Sequence, residues 1–195
     1  MSYLAPFSAL ILALAMSSNG NTIRSETTVI ELDKCVKAAT HRDGGEWNCG
    51  GGFKGYEVYF AEGDLRQFLA YGKNAKKQAS ARQTIPQFNS IFKGDAAQAE
   101  IEWRVRGTGA GRQPIATIVR YYTDSGMGEG AKDRSEVLVV TRLGKPDGIV
   151  ACHVAYVDGL ANRDALELAR SAADEHGGSF DCKKDPMRLG KARAQ

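Results

Sequence analysis

The chain has 195 residues, 43% of them hydrophobic, and a formal charge of +3. That length supports one domain with a core of its own, independent of disulfides for its bulk. So mild a charge gives no footing for a nucleic-acid or anionic-membrane partner.

Leu4 to Met16, "LAPFSALILALAM", is an uncharged apolar run. It is too short to cross a bilayer comfortably and suits the h-region of a signal peptide, although "MSY" before it lacks Lys and Arg. Small residues place cleavage after Ala15 or near Gly20, and no cysteine follows for lipid attachment. The alternative is a buried N-terminal helix. The abrupt polar "SSNGN" and the missing amphipathic period favour export. The expected organisation is a signal peptide at 1–20, one domain at 21–183 and a flexible basic tail at 184–195. No membrane span remains after cleavage, and the location is periplasmic or secreted.

Beyond the leader, β-branched and aromatic runs alternate with glycine-rich turns, which predicts an antiparallel meander. The expected strands are 27–39, 46–49, 56–61, 65–71, 99–106, 115–122, 136–143 and 149–157. Turn chemistry stands at "RDGG" (42–45) and "GKPDG" (144–148), with longer loops at "GTGAGRQP" and "SGMGEGAKD". The stretch 64–72 also has Leu65, Phe68 and Leu69 at helical spacing. Its strand reading is preferred because "YEVYFAEGD" forms the other arm of a hairpin. Residues 73–98 read as irregular. A helix is predicted over 160–176, with a stripe of Ala161, Ala165, Leu168 and Ala172 ending at Gly177-Gly178. Its small apolar residues imply close packing on a sheet, and "SFDC" after it returns along that sheet. The fold class is α+β: a predominantly antiparallel meander of hairpins with one C-terminal helix and two disulfides.

The cysteines are Cys35, Cys49, Cys152 and Cys182. An even count in an exported chain implies two disulfides, and no C-x-x-C knuckle supports zinc. Of three connectivities, a hairpin centred near Arg42 favours Cys35 opposite Cys49. The strand–helix–strand hook then brings Cys182 to Cys152.

Sites are harder to find. Gly50-x-Gly52-x-x-Gly55 has dinucleotide-loop spacing but is followed by the strand-like "YEVYF", where a phosphate loop needs a helix. Gly107-x-Gly109-x-Gly111 and Gly126-x-Gly128-x-Gly130 sit between strands and read as turns too. His41, His153 and His176 form no H-E-x-x-H, and Cys152 and His153, adjacent in a strand, point to opposite faces. No catalytic residue, cofactor or metal is assigned. Glu57, Glu62 and Asp64 with Asp158 are the carboxylates that an acid/base pair would draw on. Trp47, Tyr56 and Tyr59 with Lys73, Lys76 and Lys77 form a candidate interaction surface for a protein or cell-envelope glycan. Trp103, Tyr121 and Tyr122 could extend it, although alternation buries about half of such aromatics.

The order "C…W-x-C", "YEVYFAEGDLRQFLAYG", "QTIPQFN", "EWRV", "LVVTRLG" and "CHVAYVDGLAN" resembles an uncharacterised group of small exported proteobacterial proteins described only as hypothetical. The resemblance covers most of the mature chain and implies a Gram-negative periplasm or secretion, with no activity attached. From "WNCGGGFKGYEVYF" through "QTIPQF" the chain is also similar, more faintly, to small disulfide-bearing β-barrel inhibitors of lysozyme. The expectation is a non-enzymatic binding or interaction protein. The alternatives are a glycan-directed hydrolase and an inhibitor of cell-wall-degrading enzymes.

Overall fold

A computed structural model describes residues 22–50, 52–124, 134–148 and 150–192. Its strands are β1 (Ile23–Glu31), β2 (Val36–His41), β3 (Gly44–Cys49), β4 (Val58–Gly63), β5 (Arg66–Tyr71) and β6 (Phe88–Ser90). They continue as β7 (Gln98–Arg106), β8 (Gln113–Asp124), β9 (Arg134–Arg142), β10 (Cys152–Asp158) and β11 (Met187–Leu189), with helix α1 (Ala165–His176) between the last two. The larger sheet has the order β1-β7-β8-β9-β10-β11, and β6 pairs with β8 at Tyr122–Asp124, past the residues that β7 pairs. The smaller sheet is the meander β2-β3-β4-β5. Every pairing is antiparallel except β10 with β11. The expected α+β class, mainly antiparallel with one C-terminal helix, is what the chain adopts.

Several boundaries differ from the sequence pattern for local reasons. The run expected as one strand over 27–39 breaks at a 3-10 turn, Leu32–Lys34, so β1 joins the larger sheet and β2 the smaller. The stretch 64–72 is a strand, as the hairpin pattern predicts. Its two-residue turn, Asp64 and Leu65, has φ of 50° and 57°, the hand that suits twisted arms. Within 73–98 lie two 3-10 turns, Ala75–Lys77 and Ala79–Arg82, and the short β6. The helix starts at Ala165, because the Asp158 carboxylate first accepts the N–H groups of Leu160 (2.9 Å) and Ala161 (2.8 Å) in a turn. "SFDC" forms no strand; the return pairing is made by β11, inside the stretch expected as a flexible tail from 184. Residues 1–20, read as a signal peptide, and the 126–130 glycine loop lie outside the described residues. No helix among the described residues is long and apolar enough to cross a membrane.

The larger sheet is buried on both faces. Against the smaller sheet it sets Ile101, Trp103, Val105, Val119, Tyr121 and Val139, which meet Val58, Phe60, Leu69 and Tyr71. Trp103 is the hub: its ring lies 5.3 Å from Tyr71, 5.8 Å from Phe53 and 6.0 Å from Tyr56. The other face carries Ala116, Ile118, Leu138 and Val140 beneath Ala165, Ala169, Ala172 and Ala173 of α1. In β10 the register shifts between His153 and Ala155, and Val154 and Ala155 both turn to the helix side. Disulfides join Cys35 to Cys49 and Cys152 to Cys182, the pairs expected from register and from the hook. The first closes the β2–β3 hairpin. The second ties β10 to the chain leaving the helix.

His153 points to the opposite face from Cys152, as strand alternation requires. Its Nδ1 lies 2.9 Å from the Tyr156 hydroxyl, while Nε2 is buried with no partner among the described residues. Burial pushes its pKa down from 6.5 to about 3, so the native state holds a neutral ring. Between those values the unfolded chain binds a proton that the native chain refuses, so stability falls as pH falls below 6.5. At pH 5 the loss from this group is about 2 kcal/mol, at ~1.4 kcal/mol per unit. Glu46 and Glu102, whose pKa values are lowered from 4.5, lose their contributions further down, which leaves pH 5–7 to the histidine. Urea unfolding of the native chain and of His153→Gln at pH 7 and pH 5 checks this. The variant is expected to lose about 2 kcal/mol less over that interval.

Candidate functional site

The ends of β7, β8 and β9 lie side by side, since Arg106 pairs with Gln113 and Ala116 with Arg142. Beyond them opens a cleft of about 620 Å³, lined among others by Arg106, Gln113, Ile115, Arg142, Lys145 and Asp147. That volume is in the range of small-ligand sites. Its remaining wall includes Pro114, Leu143, Val150 and the glycines Gly107, Gly111, Gly144, Gly148 and Gly178, which leave backbone open to an occupant.

The rim loop after β9 is pinned by the segments that lead into and out of the β4–β5 hairpin. The Tyr56 hydroxyl donates to the Gly144 carbonyl (2.6 Å), Lys73 N–H to that of Pro146 (2.9 Å) and Asn74 Nδ2 to that of Asp147 (2.6 Å). Leu143 N–H donates to Ile115 O (2.9 Å), and Gly148 N–H closes the turn on Lys145 O (2.9 Å). A rim held this way is organised before any ligand arrives.

On the helix side its wall is Gly178, just past the end of α1. Gly177 packs so closely on β8 that a Cβ there would stand 2.4 Å from Ala173 O, 2.8 Å from Ala116 Cβ and 3.1 Å from Ile115 O. The guanidiniums flank this end: Arg142 Nη1 donates to Phe180 O, and Arg106 Nη1 lies 3.6 Å from where a Gly178 Cβ would be. Cations at a helix C-terminus are favourable. They remain under-partnered, since the Nε atoms of both arginines are buried without an acceptor among the described residues.

The surface expected around Trp47, Tyr56, Tyr59, Lys73, Lys76 and Lys77 is divided by the fold. Trp47 faces the core, 5.2 Å from Phe60, with Lys37 over its ring, and Tyr56 is 3% exposed. Tyr59, Lys73 and Lys76 do meet, lining a smaller cavity of about 200 Å³ with Glu46, Asn48 and Glu57; Lys77 is exposed outside it. There Glu46 accepts Lys76 Nζ (2.5 Å) and faces His41 Nε2 (2.9 Å), and these bonds hold its carboxyl below the usual range. Burial and the adjacent Glu46 push Tyr59 up to about 12. Glu46 thus satisfies Lys76, His41 and Tyr59 from within the cluster.

Nor are the four carboxylates gathered. Glu57 lines that small cavity, Glu62 accepts Gln67 Nε2 (3.1 Å), Asp64 pairs with Arg66 at a hairpin tip, and Asp158 closes the turn before α1. Trp103 and Tyr121 are core, and Tyr122 lines a third cavity with Phe88 and Leu160. Gly52 in the Gly50–Gly55 motif is required by its own turn, for a Cβ there would stand 1.9 Å from Tyr56 O, and β4 follows.

Sequence reasoning missed Arg106, Arg142 and Lys145. The available signal was a cation next to glycine at two strand ends, "RVRG" and "TRLGK". It becomes a site only once β7 and β9 are known to flank β8. The close fit at the helix end is testable. Gly177→Ala is expected to lower stability by about 1–3 kcal/mol in chemical denaturation, because backbone on both sides blocks the methyl.

No protein-family model, curated protein or solved structure matches this chain.

Proposed function

We propose that the protein is an exported, non-enzymatic binding protein whose ligand site is the cleft at the ends of β7, β8 and β9. The observation that carries this is the pinned rim around a void of small-ligand size. Asp147 is the one carboxylate among its lining residues, so a two-carboxylate hydrolytic centre finds no support in the cleft. Export is supported by the apolar run Leu4–Met16 and by pairing of all four cysteines into disulfides.

The binding half is tested by filling the cleft. Gly111 lines the cleft and a Cβ there meets nothing within 4 Å, so Gly111→Trp is chosen to crowd the void without displacing backbone. In a thermal-shift screen of small organic acids, sugar phosphates and cell-wall fragments, at least one compound is expected to stabilise the native chain. The same compound leaves the tryptophan variant unshifted. Shifts of equal size in both proteins would sink the assignment. The export half is read by fractionating a Gram-negative host that expresses the full chain. Recovery in the periplasm with all four thiols blocked is expected; retention in the cytosol with free thiols refutes it.

A further inference from the structure

Elsewhere among the described residues, every arginine that is partly or fully buried has its charge matched, and only the exposed Arg82, Arg163 and Arg188 stand without an ion pair. Arg24, Arg66, Arg104, Arg112, Arg120 and Arg170 each pair with a carboxylate. The most buried of these, Arg104, is held at both Nε (2.7 Å) and Nη2 (2.6 Å) by the Asp174 carboxylate. Its pKa rises chiefly through that hydrogen bond.

The cleft breaks the pattern. Arg106, Arg142 and Lys145 line it together, and none makes an ion pair among the described residues. Arg106 has no hydrogen-bond acceptor there at all, and Arg142 spends one nitrogen on Phe180 O. Attraction to the helix end does not give these N–H donors an acceptor. With Asp147 the only opposing charge in the lining, the cleft carries a formal +2 (three cations less one carboxylate). Like charges gathered at one partly desolvated wall repel, and an incoming anion relieves that repulsion while filling the open donors.

Resting on the cleft being the ligand site, we propose that its occupant is a small hydroxylated organic dianion, held at its charged oxygens by Arg106, Arg142 and Lys145. The net charge asks for two negative charges, and a guanidinium suits phosphate or carboxylate oxygens equally in geometry. The volume exceeds what an inorganic ion fills, and Pro114, Ile115 and Leu143 offer an apolar wall to a carbon skeleton. Gln113 and Asp147 stand among the lining residues as partners for hydroxyl groups. The shared chemistry is met by a polyol phosphate monoester and by a hydroxy-dicarboxylate.

Isothermal titration separates these sources and tests the charge argument. The probes are glycerol 1-phosphate, malate and glycerol, run against the native chain, Arg106→Gln and Gly111→Trp. At least one of the two dianions is expected to bind the native chain and glycerol not to. Added salt weakens that binding. Arg106→Gln weakens it about tenfold or more while lowering the melting temperature by no more than about two degrees, because the arginine gives up no hydrogen bond or ion pair within the protein, only its weak attraction to the helix end. A dianion bound equally well by Arg106→Gln overturns the proposal, as does a melting temperature several degrees lower in that variant. If neither dianion binds while a neutral compound binds in a manner blocked by Gly111→Trp, the dianion is refuted and the cleft stands. If no compound distinguishes the native chain from Gly111→Trp, both readings fall.

Discussion

The architecture depends on how closely α1 lies against the larger sheet. Alanines meet there from both sides: Ala116 and Ala155 from the sheet, Ala165, Ala169, Ala172 and Ala173 from the helix. Gly177 completes the contact where even a methyl group would collide. Small side chains give less apolar area each than leucine would, but they let two backbones approach and pack without voids. With the helix seated so low, aliphatic side chains such as Ile118 and Leu138 still fit under it, while the long arginines of the same sheet face emerge at its flanks. Arg106 and Arg142 emerge at its C-terminal end, and Arg104 beside Asp174. The cleft is thus a by-product of the alanine interface.

Two treatments of charge follow on that face. Glu102, Arg104, Arg170 and Asp174 form a closed network between β7 and α1, with Arg170 held by Glu102 at 2.8 and 3.2 Å. Such a network fixes the helix azimuth on the sheet and leaves little donor capacity over. Just past it, beyond the last turn of α1, the cleft cations stand without carboxylates, and the nearby loop is instead secured through backbone carbonyls by Tyr56 and Asn74. The first cluster is closed on itself, and the second keeps unfilled donors.

How much of this the sequence disclosed depends on the range of the interaction involved. Strands such as β4, β5, β8 and β9 were legible because alternation of β-branched and aromatic residues is a local signal. Cys35 and Cys49 were legible because a hairpin fixes its own register. The helix showed itself through an alanine stripe, although Asp158 delays its start by closing a turn first. What local patterns do not encode is which strands become neighbours. Tyr56 and Tyr59 looked alike in sequence, yet one fixes the cleft rim and the other lines the separate cavity beside Glu46. Lys73 reaches the cleft loop through its N–H, so no side-chain signal could have announced it. Arg106 and Arg142 are 36 positions apart in the chain (142 less 106) and converge only through β8, which pairs with both their strands.

The order of strands also sets an order of events. The whole β2–β5 meander is spelled out between β1 and its partner β7, so Ile30 pairs with Ala99 only after the intervening chain has been gathered in. The meander needs no such reach, for each of its strands pairs with the next. Local hairpins close in microseconds, whereas joining distant segments carries a larger entropic toll in the search. Docking of β1 is therefore a late step in assembly, and until it occurs the β7 edge that it covers is open to other chains. For a newly made molecule the exposed interval of greatest consequence lies along β7, on the opposite side of β8 from the covalently anchored β10.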